Sequence, residues 1–188
     1  MAIVILLYFL RMKILAIDQS RCGGYAIFDY QTKKLISYGA FNFPDRKYTY
    51  PLAIYKLKKL VKSLVKENDI SACFIEEISY QRNLNGFKRL AQMQGVLENF
   101  FIENEMLYDI IQPTMWQKYA NARKRTQKEI KNKVVEANTA GKKETKVLSI
   151  QFVHDVYKVD TPNDGIADAI GIGHYAVNNI KIETKEAN

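Results

Sequence analysis

Histidine and cysteine are scarce in this chain, with two of each among 188 residues. Cys22 and Cys73 form no C-x-x-C pair. Neither a disulfide framework nor a four-ligand zinc site can be built from so few ligands. Cys73 lies in an apolar run and reads as a small buried hydrophobe, and a reducing, cytoplasmic setting is the simple expectation. Long hydrophobic runs are missing too. A membrane-spanning helix needs about 20 apolar residues, whereas Ala2–Leu10 supplies only nine. Its charges, Arg11 and Lys13, follow the run, while a secretory signal carries them before it. No membrane partner and no small-molecule cofactor are expected. A second methionine, Met12, directly precedes a clean strand pattern. Residues 1–11 are therefore expected to be an N-terminal extension outside the fold, with a short membrane-associating tag as the minority reading.

Acidic residues are the other shortfall. Asp and Glu number 20 against 28 Lys and Arg, which leaves a net charge of +8. Such a balance favours a polyanionic partner, nucleic acid or an anionic membrane surface. Apolar residues make up 47 % and charged residues 26 %, which excludes a disordered or fibrous chain and supplies enough material for a core. No repeat, low-complexity segment or domain boundary is visible, so residues 12–188 read as a single domain.

Lys13–Asp18 is a short apolar run that closes on a carboxylate, the pattern of a buried strand. Gly24–Tyr30 and Lys34–Phe43 are rich in β-branched and aromatic residues and join through a tight turn. Tyr48–Lys66 has apolar residues at helical spacing and lysines on the other face. Ile70–Ile78 is a second buried strand. Asn85–Glu105 is a long helix with two apolar stripes: Phe87, Leu90, Ala91, Leu97 and Phe101, and beside them Met93, Val96 and Phe100. So wide an apolar surface asks for two packing partners. Tyr108–Gln112 is a short strand, and Pro113 opens a helical turn. Helices follow over Thr126–Asn138, Glu144–Tyr157 and Asn163–Asn179, the last announced by Thr161-Pro162-Asn163. A meander followed by alternating helix and strand predicts an α/β fold, a mixed five-stranded sheet with helices on both faces.

Carboxylates recur at telling places in this frame. Asp18 and Glu76 each close an apolar strand, where an unpaired charge is costly unless it meets a partner or a metal. Asp164 and Asp168 are four residues apart on the last helix, where like charges repel by about 0.2–0.5 kcal/mol; a bound cation reverses that sign. Four carboxylates without Cys or His make an all-oxygen donor set, which suits Mg²⁺ or Mn²⁺. Plainer readings exist for each acid alone. Asp164 serves a helix N-terminus by its dipole, Asp18 starts a turn, and one of Glu76 and Glu77 points the other way along the strand and is structural.

AIDQS at 16–20, FIEEI at 74–78 with LAQMQGV at 90–96, and DGIADAIGIGHY at 164–175 resemble the RuvC family of Holliday-junction resolvases of the phage-encoded type, within the ribonuclease H-like superfamily. The resemblance runs from Met12 to about Asn179. It implies a ribonuclease H-like fold and a dimeric endonuclease for four-way DNA junctions, with two Mg²⁺ ions per active site. For a phage-encoded chain the setting is the host cytoplasm. By position, Asp18, Glu76, Asp164 and Asp168 are the implied metal ligands and catalytic residues. The family's usual additional acid falls on Gly165 here, and Asp164 stands one residue before it. The second stripe of the long helix, Met93, Val96 and Phe100, is the expected dimer interface.

Between Gln117 and Lys146 ten basic residues face three acids, a surplus of +7. Arg123, Lys124 and Arg125, with Lys142, Lys143 and Lys146, are dense enough to neutralise several phosphates; the bland reading is a solvated helix face. Within the resemblance, Lys143 and Lys146 contact junction phosphates. Tyr80 and Phe87 flank the loop after the Glu76 strand; the resemblance implies that this loop reaches toward the junction centre, where an aromatic ring can stack on a base. The leading expectation is a metal-dependent endonuclease for branched DNA that leaves 5′-phosphate and 3′-hydroxyl ends. A ribonuclease H-type nuclease on hybrids or flaps, and a structure-specific DNA-binding protein that does not cut, are the alternatives.

Overall fold

The computed structural model describes residues 12–78, 83–122 and 144–182. The chain runs β1 (Lys13–Asp18), β2 (Cys22–Asp29), β3 (Leu35–Asn42), α1 (Tyr50–Asn68), β4 (Ile70–Glu76), α2 (Leu84–Glu103), β5 (Leu107–Ile111), α3 (Pro113–Tyr119), α4 (Glu144–Tyr157) and α5 (Asp164–Asn179). The strands form one sheet in the order β3-β2-β1-β4-β5. β1 is antiparallel to β2, β2 to β3, and β1–β4 and β4–β5 are parallel. The expected α/β fold with a mixed five-stranded sheet is thus present. The expected extension 1–11 and the expected helix Thr126–Asn138 lie outside the described residues.

Strand alternation divides the apolar residues between two cores. Leu15 and Ile17 of β1, with Cys73 and Ile75 of β4, face a layer that includes Leu57 and Val61 of α1 and Met93, Leu97, Phe100 and Phe101 of α2. Ala16 of β1 and Ala72 and Phe74 of β4 face the other way, onto Ala169, Ile170 and Ile172 of α5. The sheet is buried on both faces, which explains why β1 and β4 read as nearly continuous apolar runs.

α5 lies against β2 at a distance that only glycine allows. A Cβ on Gly24 would stand 2.2 Å from the Gly165 carbonyl oxygen, and a Cβ on Gly165 would stand 2.7 Å from the Gly23 carbonyl carbon. The helix therefore starts almost in backbone contact with the sheet. Asn163 caps it by accepting a hydrogen bond from the Ile166 N–H.

The dimer stripe expected on α2 needs correction. Met93 and Phe100 are 0 % and 3 % exposed and sit in the chain's own core, whereas Val96 is half-buried. α1 and α2 share one face of the sheet, and Met93 and Phe100 pack there in one cluster with Leu57, Val61 and Leu64 of α1. An intramolecular core position makes a clear stability prediction. Met93→Ala removes a fully buried side chain and should cost about 2–5 kcal/mol, read as a lowered urea midpoint with an unchanged slope.

Candidate active site

The last paired rung between the parallel strands β1 and β4 is Ile17 opposite Ile75. Asp18 and Glu76 are the next residues on each strand, so they stand side by side at the strands' carboxyl ends. Because Ile17 and Ile75 face α1 and α2, alternation turns Asp18 and Glu76 toward α5. Asp168 comes down from that helix, and all three line one open cleft of about 650 Å³. Glu77, Asn83, Phe87 and Leu90 form further parts of its wall, with Pro113 and Gln117 of α3.

The electrostatics are those of negative charges held close together and partly out of water. Desolvation raises the Asp18 pKa well above its ordinary value, and Glu76, Asp168 and Asp164 push it further, against a smaller opposite pull from Lys146. Glu76 is raised from 4.5 to about 7, chiefly by burial; a hydrogen bond from Trp116 opposes this and Asp168 adds to it. Asp168 is raised from 3.8 to about 6, again chiefly by burial, with a hydrogen bond from Ser149 opposing and Asp164 adding. Each of these groups is in the field of at least one other.

The supporting contacts come from residues that carry no recognisable motif. Gln19 is 3 % exposed. Its side-chain amide donates to the Glu76 carbonyl, and its oxygen accepts the Glu76 N–H at 2.9 Å. It thus extends the β1–β4 pairing by one side-chain-mediated rung. The Trp116 indole donates to Glu76 Oε1 at 2.8 Å. A polar residue directly after a buried strand, and the chain's single tryptophan in a short helix after β5, are the only sequence signals for these two.

The other expected site residues fall in different places. Asp164 ion-pairs with Lys146, at 39 % and 58 % side-chain exposure, and does not line the cleft among the described residues. Glu77 also lines it, so neither member of the Glu76–Glu77 pair is turned away from the cleft, and its Oε1 accepts the Ile78 N–H at 2.9 Å. Phe87 is half-buried on the cleft wall. Tyr80, Arg123, Lys124, Arg125, Lys142 and Lys143 lie outside the described residues.

An all-carboxylate donor set whose members raise one another's pKa fits a hard divalent cation such as Mg²⁺ or Mn²⁺. Among the described residues no three acidic, imidazole or thiol groups already form a ligand cluster. The donors share a cleft and a field rather than a finished cage.

No protein-family model matches the chain, and no curated protein matches it. Solved structures do. The RuvC of T. thermophilus in complex with a Holliday junction is 12 % identical, with a TM-score of 0.63 over 88 % of this chain and 92 % of that one. The yeast mitochondrial Holliday junction resolvase Ydc2 is 14 % identical, with a TM-score of 0.55 over 88 % of this chain and 78 % of that one. The Fowlpox virus resolvase in complex with Holliday junction DNA is 16 % identical, with a TM-score of 0.54 over 89 % and 97 %. The fold is therefore the ribonuclease H-like fold that these junction resolvases share.

The raised carboxylates predict an unusual pH dependence of stability. Between an ordinary carboxylate pKa and about 7, the folded state holds protons that the unfolded chain has released. Stability from this source is full at acid pH and is lost as pH rises through the folded values. In a chelator the melting temperature should fall from pH 5 to pH 8. Millimolar Mg²⁺ should restore it at pH 8, and Asp168→Asn should flatten the profile.

Proposed function

We propose that this chain is a metal-dependent endonuclease that cleaves branched DNA, chiefly four-way junctions. One observation carries the reading: Asp18, Glu76 and Asp168 converge on one cleft in a fold shared with resolvases solved on Holliday-junction DNA. Asp18, Glu76 and Asp168 are the residues that would hold Mg²⁺ or Mn²⁺, two ions per site, and Asp164 would join them once its ion pair with Lys146 opens. Bound there, such ions would supply acidified water and charge neutralisation at the leaving 3′ oxygen, chemistry that would leave 5′-phosphate and 3′-hydroxyl ends.

The chain's own residues then have separable tasks. Asp18 and Glu76 hold the cleft floor at fixed strand positions, and Asp168 closes it from α5. The cleft's net negative charge opposes a phosphodiester until cations are present, so cutting is tied to metal. Lys146, exposed at the rim, together with the basic segment that precedes it in sequence, is assigned to phosphate contacts. Phosphates carry no sequence information, so these residues set affinity for branched DNA rather than cleavage sequence. A four-way junction offers two equivalent strands, and a homodimer places one site on each. Its interface uses surface other than the buried Met93–Phe100 stripe. No described helix is long and apolar enough to cross a membrane, and the reading places the protein in the cytoplasm, that of a host for a phage-encoded chain.

The test is incubation with labelled four-way junction, fork and RNA–DNA hybrid, with and without Mg²⁺. Paired cuts in the junction, dependent on Mg²⁺, are expected. Preferred cleavage of the hybrid points instead to a ribonuclease H-type activity, and binding without cutting points to a structure-specific binding protein. Asp168→Asn should lower junction cleavage by at least a hundredfold while gel-shift affinity for the junction stays equal or rises, because one phosphate–carboxylate repulsion is gone.

A further inference from the structure

We infer that Trp116 is the positioning residue that holds the Glu76 carboxylate in its metal-facing orientation. The inference rests on the nuclease reading above and deepens it. Gln19 fixes the Glu76 backbone from both its N–H and its carbonyl, so the side-chain torsions are the freedom that remains. The Trp116 Nε1–H removes it with a 2.8 Å hydrogen bond to Oε1. An indole has one donor and no acceptor, so it can hold a carboxylate but cannot compete for a cation. One oxygen is thus held while the other stays available in the cleft.

The donor is itself immobilised. Trp116 is 1 % exposed. It occupies α3 between Pro113 and Gln117, both of which line the cleft. Its six-membered ring lies on α5 where Gly171 leaves space: a Cβ on that glycine would stand 2.6 Å from Cε3 and Cζ3. Gly171 is one turn beyond Asp168 on the same helix. The indole therefore ties a carboxylate of β4 to the helix that carries the other acid. Neighbours that orient metal ligands through hydrogen bonds are worth about 10–100-fold in metal affinity when removed.

The chain's single tryptophan makes the idea directly measurable. In the full chain its indole N–H gives one resonance. That resonance should shift on Mg²⁺ titration, and it should shift in Glu76→Gln without metal. Trp116→Phe keeps most of the ring but loses the donor, and Mn²⁺ affinity, measured by calorimetry, should fall about 10–100-fold. Gly171→Ala keeps the donor and displaces the ring, so it should weaken Mn²⁺ in the same direction; it serves if Trp116→Phe fails to fold. Wild type and Asp168→Asn run beside them. If wild type binds no Mn²⁺, the nuclease reading fails. If wild type binds Mn²⁺ and Asp168→Asn does not, but a folded Trp116→Phe or Gly171→Ala binds as wild type with an indole resonance blind to Mg²⁺, then Trp116 is only a core residue and the inference is overturned.

Discussion

The cost of placing carboxylates at the carboxyl ends of two buried parallel strands governs the rest of this structure. Each of Asp18, Glu76 and Asp168 is penalised by partial desolvation and again by its neighbours, in the same direction. A fold can tolerate that only by partial protonation, by hydrogen bonds to the charged forms, or by a bound cation. The surroundings of the cleft use the second route sparingly. Trp116 serves Glu76 and Ser149 serves Asp168, and both carboxyls remain well above their ordinary pKa values. The residual repulsion is what a hard divalent cation would relieve, which is why the proposed chemistry and the metal-free stability are two faces of one arrangement.

The contact between Gly24 and Gly165 decides how close the third acid comes. Because α5 starts against the β2 backbone, its first turn has no room for a side chain at position 165. A larger residue there cannot be housed without moving the helix off the sheet. Asp164, one residue earlier, projects from the helix start, where it pairs with Lys146. The packing at the helix start thus separates Asp168, which lines the cleft, from Asp164, which acts on the cleft through its field.

Much of this was legible in the residues. Strand and helix identities followed from period-2 and helical patterning, and Asp18, Glu76 and Asp168 stood out as charges that close apolar runs. Three things were not legible, each for a physical reason. The inward turn of Met93 and Phe100 depends on which α2 stripe meets α1, and two adjacent apolar stripes do not encode that choice. Gln19 and Trp116 act across the sheet, over 57 and 40 residues of sequence, and no local pattern marks a contact so distant. Alternation set one of Glu76 and Glu77 facing away as structural, but β4 stops at Glu76, so alternation no longer constrains the next residue, and both line the cleft.

Charge separation within the molecule completes the picture. The chain is basic as a whole, yet its cleft is acidic, and Lys146 sits at the junction of the two. Desolvation aside, the Lys146 cation is raised in pKa by its bond to Asp164 and by the fields of Asp168 and Asp18, which favour its charged form. A lysine held there lowers the repulsion an approaching phosphate meets without entering the cleft. Under the proposed function, affinity for a polyanion is assigned to Lys146 and the basic segment that precedes it in sequence, in the salt-sensitive manner of phosphate contacts, while the acidic floor repels anions until cations are bound. Under the proposed function this division lets the protein dwell on DNA without cutting and makes metal loading, rather than encounter, the step that commits a strand.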